Sequence, residues 1–229
     1  MVGYHTPRVI YRGIINDGYR SLNNSFFNEP SAKWSVAGQV VGIAVGDEDD
    51  WARFNDFTSR PGSDFAWQLS AGFHLQEGDT NLEPNGGGSD DVFLGIVESS
   101  LEGDGWNLYT AGYYRDTDGP STSQVSYKDT GFVIEAGKWV SKHFEAYSRY
   151  DITMPDSDRP VENEDFSTLT GGLSFYPLPH TNNFKINAEL LYMFDAESES
   201  IVEPNVNSSV RASPAGDQWV FRTQASIRW

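Results

Sequence analysis

Apolar and polar side chains alternate with a period of two in segments of about ten residues along the whole chain, and each segment ends in a run of Asp, Gly, Ser, Asn or Pro. That is the pattern of a strand meander. It predicts ten strands, over residues 5–14, 34–46, 65–76, 92–101, 106–115, 131–140, 143–152, 166–176, 184–194 and 218–229. The third is typical. Phe65, Trp67, Leu69, Ala71, Phe73 and Leu75 share one face, and Gln68, Ser70, His74 and Gln76 the other. The ninth and tenth alternate as cleanly, whereas the second, fourth and fifth do not. A turn of helix is expected only near Trp51 to Phe57.

The connectors carry a second rhythm. From the C-terminal end backwards they cover 195–217, 177–183, 153–165, 141–142, 116–130, 102–105 and 77–91, alternately long and short. Long loops at one end and tight turns at the other are the habit of outer-membrane barrels. Residues 47–64 break the rhythm, because a short turn is expected there and the connector has 18 residues.

A soluble or cell-surface β-sandwich binding carbohydrate through exposed aromatics also alternates, since one face of any antiparallel sheet can be buried. Strand length favours the membrane. Ten to thirteen residues suit a tilted strand crossing the hydrocarbon layer, whereas globular strands centre near five or six. Six of the seven tryptophans, Trp34, Trp67, Trp106, Trp139, Trp219 and Trp229, fall at or near strand ends. There an aromatic girdle meets the headgroups. The fold class expected is therefore an all-β, antiparallel, transmembrane up-and-down β-barrel in a bacterial outer membrane, with residues 1–229 as a single barrel domain.

Composition narrows the functions. With 33 acidic and 16 basic side chains the formal charge is −17, which opposes a nucleic-acid surface. No cysteine is present, so disulfide scaffolds and thiolate metal sites are excluded. No segment reaches the roughly 18–20 apolar residues of a membrane helix. The opening MVGYHTPRVI lacks the basic and apolar regions of a secretory signal, so either the signal has been removed or the chain begins inside a longer protein.

Charge is also unevenly placed. Of the acids, 28 fall in connectors and termini, so the strands net +3 and the connectors −20. A charge on the lipid face near the midplane costs roughly 2–4 kcal/mol, which turns strand charges inward. The pore-lining candidates are Arg8, Arg12, Glu135, Glu145, Arg149, Asp151, Lys185, Glu189, Arg222 and Arg228. They serve either as a lattice of ion pairs filling the barrel or as a hydrated, basic lining that attracts anions.

Catalytic and metal chemistry find little. The histidines are scattered, no nucleophile elbow or phosphate loop occurs, and Gly86, Gly87 and Gly88 lie in a polar connector. Asp47, Glu48, Asp49 and Asp50 offer hard oxygens but lack a calcium-loop pattern, so a solvated acidic turn is the expectation. Glu135 and Glu145 are the best carboxylate pair for a hydrolase, but facing carboxylates on neighbouring strands are common in polar lumens, and that is the expectation. No catalytic residue, metal or cofactor is expected. The partners expected are the lipid bilayer, lipopolysaccharide bridged by cations to acids such as Asp156 and Glu164, and small hydrophilic solutes.

The C-terminal half carries a resemblance. EAYSRYDITMPDSDRPVENEDFSTLTGGLSFYPLPH, then FKINAELLYMFD and QWVFRTQASIRW, resembles the C-terminal portion of the phosphate-selective porin O and P family. The shared elements are the F/Y-x-R-Y-D strand, the D-F-x-T-L-T-x-G strand, the Lys-bearing strand after a short turn and the closing F-R-x-Q strand. Upstream, INDGYRS, DDWARFNDFTS and SLEGDGWNLY extend the likeness. The resemblance implies a trimer-forming channel of about sixteen strands whose luminal arginines and lysines guide anions, with Arg149, Lys185 and Arg222 at matching positions. Ten strands fall short of that number, so either N-terminal strands precede Met1 or ten, an even number, close alone. The acidic loops would repel phosphate at the mouth, and the family's phosphate ladder has no counterpart here.

Overall fold

The computed structural model describes residues 2–16, 32–55, 57–78, 91–118, 126–157, 164–178, 181–195 and 217–227. Among them are eleven strands: β1 (Val2–His5), β2 (Val9–Asn16), β3 (Ala32–Val45), β4 (Ala66–Gly78), β5 (Asp91–Gly103), β6 (Trp106–Asp118), β7 (Ser126–Trp139), β8 (Phe144–Met154), β9 (Phe166–Phe175), β10 (Phe184–Met193) and β11 (Gln218–Ile227). A 3-10 helix, η1 (Glu48–Asn55), lies between β3 and β4. All the strands belong to one antiparallel sheet in sequence order, from β1 at one edge to β11 at the other. This is the up-and-down barrel order, open between β1 and β11 among the described residues, with no second sheet for a sandwich.

The eleventh strand corrects the expected ten. The segment 5–14 splits because Thr6 turns the chain: its backbone N–H donates to Val9 O at 2.8 Å, and its hydroxyl accepts from Val9 N–H at 2.9 Å. Pro7, with no N–H to donate to a ladder, completes the break.

Burial is inverted relative to a soluble protein. Residues buried under 10% exposure include Ser70, Ser100, Asn107, Glu145, Thr168, Thr170 and Ser174, whereas Val97 is 63% exposed and Leu69, Phe73, Phe132, Leu169, Leu173 and Leu190 stand exposed as well. The polar face is the concave one, because contacts on it skip a strand: Tyr113 on β6 reaches Thr153 on β8 at 2.8 Å, and Tyr147 on β8 donates to Glu189 on β10 at 2.7 Å. Gly172 leaves the wall flat where the Tyr147 ring crosses it, since a Cβ there would overlap the ring.

The outer face is banded. At the loop end Trp219 lies 4.7 Å from Tyr192, and Phe93 lies 6.2 Å from Tyr114. At the turn end Phe65 and Trp106 stack at 6.2 Å, and Phe144 and Phe175 at 5.0 Å. Such belts, with an apolar band between them, match a strand-built membrane span.

Candidate functional site

The connector that broke the loop rhythm folds into the concave side of the sheet. Residues 47–55 and 57–64 do not stay at the rim but lie across the concave side of the sheet at its turn end. The acidic run is the exposed acidic turn expected, and it starts the strap as a capping box. Asp47 Oδ1 accepts from Asp49 N–H at 3.0 Å, and Asp50 Oδ2 accepts from Asp47 N–H at 2.9 Å, so each end of the box satisfies an orphan donor of the first turn. Partial burial opposes ionisation of Asp50, but that N–H and the Arg53 guanidinium together hold its carboxyl below the usual range.

Arg53 then folds the strap on itself. It donates to Asp50 at 2.6 Å and to the Asp64 carbonyl at 2.7 Å, and its Nε lies 3.5 Å from the buried Glu102 of β5. Phe54 packs into an apolar seat of Ile43 and Ala66, with Trp51 alongside. Trp51 Nε1 donates to Pro7 O at 2.9 Å in the turn between β1 and β2.

The second half reaches the far wall. Phe57 meets the Tyr109 ring edge-on at 4.8 Å, and Asn107 Nδ2 donates to its carbonyl. Thr58 donates to Glu145 Oε1 at 3.0 Å, Ser59 donates to Gly103 O at 2.6 Å, and the Arg60 guanidinium lies over the rings of Trp139 (4.8 Å) and Tyr176 (5.4 Å). The strap therefore spans the interior from the β1–β2 turn to the residues after β9.

Around it the expected lumen residues divide. Arg149 and Glu135 are register partners on β8 and β7, and Arg149 Nε donates to Asp151 at 2.9 Å, while Thr168 donates to the other Asp151 oxygen at 2.9 Å. Arg222 pairs with Glu189, to which Tyr147 also donates. Lys185 shares the Glu189 face of β10 and lies within electrostatic reach of Glu135 and Glu145. Arg149 and Arg222 are thus both paired, with side chains 49% and 51% exposed, Arg222 on the edge strand β11. Arg12 faces the lumen from β2 and donates to Gln39 at 3.3 Å. Arg8 is a correction: it sits in the exposed turn before β2 and not in a strand, and its carbonyl accepts from Ile43 N–H. Arg228 and Trp229, with Gly86, Gly87 and Gly88, lie outside the described residues.

Trp139 also departs from expectation. It is 7% exposed and inward, stacked on Tyr176 at 4.7 Å with its Nε1 donating to Thr58 at 3.1 Å. Register places it opposite Glu145, on the polar face, so it anchors the strap instead of joining the girdle. Trp34, Trp67, Trp106 and Trp219 keep to the outer face. Glu145 and Glu135 lie within electrostatic reach of each other, and each is already engaged: Glu145 accepts from Thr58 on one oxygen at 3.0 Å and from Tyr176 on the other at 2.9 Å, while Glu135 is the register partner of Arg149.

Sequence reading missed Thr58, Arg60, Arg53, Glu98, Tyr109 and Tyr176. The excess length of the 47–64 connector was the available signal. A recess of about 330 Å³ opens beside the strap, walled by Trp51, Phe54, Arg12, Gln39, Gln68 and Glu98. A smaller one of about 80 Å³ adjoins it past Phe54.

No family model matches the chain, and no curated protein matches it. Among solved structures the fold is similar to the outer-membrane expressed OmpT of Vibrio cholerae, with a TM-score of 0.54 over 99% of this chain and 79% of that one, at 13% identity. At that identity the likeness is one of architecture: the chain has the fold of an outer-membrane β-barrel.

Proposed function

We propose that this chain is a porin-like channel of the bacterial outer membrane, related to the phosphate-selective porin O and P family, through which small hydrophilic or anionic solutes diffuse passively. The observation that carries the reading is the pairing of an exposed apolar belt with a polar concave face that bears Arg149 and Arg222. Charged groups lining a confined aqueous path set ion preference, and a constriction sets the size limit. The strap supplies that constriction at the end that faces the periplasm in this reading, and the long acidic loops face outward. Assembly as a trimer and cation-bridged contact of those loops with lipopolysaccharide complete the proposal. It assigns the chain no catalytic step.

Protein folded in detergent should migrate differently on a gel before and after boiling and should give discrete conductance steps in a planar bilayer. A silent bilayer with correctly folded protein overturns the channel reading and leaves a plugged barrel.

A further inference from the structure

The recess beside the strap has its own chemistry. One side is apolar and aromatic: Trp51 and Phe54 from η1, backed by Ile10 and Val41. The other is polar and planar: Arg12 and Gln39 on β2 and β3, Gln68 on β4 and Glu98 on β5. Its volume, about 330 Å³, is at the small end of the roughly 300–1,000 Å³ typical of ligand sites.

The lining carries no net formal charge. The recess holds one guanidinium and one carboxylate, and Arg12 forms no ion pair among the described residues. An anion attracted to Arg12 would also face Glu98. That carboxylate is already held by Ser70 on one oxygen and by Tyr109 at 2.7 Å on the other. Each oxygen keeps a second lone pair for an incoming hydroxyl. Gln68 makes no side-chain hydrogen bond among the described residues, so its amide has both a donor and an acceptor to offer.

The partly exposed Trp51 indole, backed by the buried Phe54, across from planar donors and acceptors and with no net formal charge, fits a ring with an apolar face and a rim of hydroxyls. We infer that this recess is a binding subsite for a neutral mono- or disaccharide on its way through the lumen. The inference rests on the channel reading for its physiological meaning and on the recess alone for the binding itself.

The test therefore has two arms. In planar bilayers, glucose and maltose at millimolar concentration should reduce the ion current saturably, and glycine and inorganic phosphate should not. Trp51→Ala and Gln68→Ala should each weaken the block roughly tenfold, and the outward Trp219→Ala should leave it unchanged; Gln68→Ala keeps the test open if loss of Trp51 prevents folding. In an amine-oxide detergent, which carries no sugar headgroup, maltose should perturb tryptophan emission in the wild type and less in Gln68→Ala. Sugar binding in detergent with a silent bilayer overturns the channel and keeps the subsite. A conducting channel blocked by phosphate or glycine instead of sugar, or sugar block unaffected by both recess variants, overturns the subsite and keeps the channel.

Discussion

Thr58 and Glu145 lie 87 positions apart in sequence and meet at 3.0 Å, with the Thr58 hydroxyl donating to the carboxylate while it accepts from Trp139 Nε1. This contact fastens an apparent surface loop to the inner wall of the barrel. Thr58→Val removes the hydroxyl and leaves the indole N–H and one carboxylate oxygen without that partner in a buried place. A buried polar group left unpaired costs about 1–3 kcal/mol, so the variant should unfold at lower urea in detergent. Thr58→Ser, which keeps the hydroxyl, should recover most of the loss.

Replacing residues 48–63 by a short turn should open the turn end. Because conductance follows the narrowest section, single-channel current should rise roughly twofold or more. An unchanged conductance would place the constriction elsewhere.

Arg149 and Arg222 balance Asp151 and Glu189 on the luminal face. Arg149→Ala and Arg222→Ala each leave a carboxylate in excess, and ion preference should shift toward cations. Reversal potentials in a potassium chloride gradient measure it; no movement in either variant would mean that these pairs only fill space.

Val97, 63% exposed in the middle of β5, separates lipid from water as its neighbour. On a soluble surface Val97→Arg is close to neutral, whereas at a bilayer midplane it costs roughly 2–4 kcal/mol. Folding yield into lipid vesicles should fall accordingly.

Asp50 gives the strap an acid limit. Its carboxyl is held below the usual range by the Asp47 N–H and Arg53, against the opposing effect of partial burial. A lowered folded value means that the unfolded chain takes up the proton first. The stabilisation is therefore present in full above about pH 5 and is lost as the pH falls through the lowered value. Hydrogen-exchange protection of the first η1 turn, corrected for intrinsic rates, should drop in strong acid. In Asp50→Asn it should already be low at neutral pH.

What was legible in the sequence was local. Period-two alternation located β4, β10 and β11 and their outward faces, because a strand must send successive side chains to opposite sides and a membrane admits only apolar ones on the outside. Where alternation was blurred, the cause is now visible. Val41 and Ile43 of β3 turn inward toward Trp51 and Phe54, and Tyr109 and Tyr113 of β6 turn inward toward Glu98 and Thr153. Apolar and aromatic residues on a luminal face are indistinguishable in one dimension from residues on a lipid face.

The sequence by itself determined the antiparallel meander, the outward Trp34, Trp67, Trp106 and Trp219, the shared polar face of Arg149, Lys185 and Arg222, and the odd length of residues 47–64. Only the tertiary structure decided where that length goes. The strap's partners, Glu102, Asn107, Trp139, Glu145 and Tyr176, come from four strands and the residue that follows β9, and they become neighbours only when the sheet curls. Alternation reports which side of a sheet a residue occupies; it carries no information about what reaches that side from elsewhere in the chain.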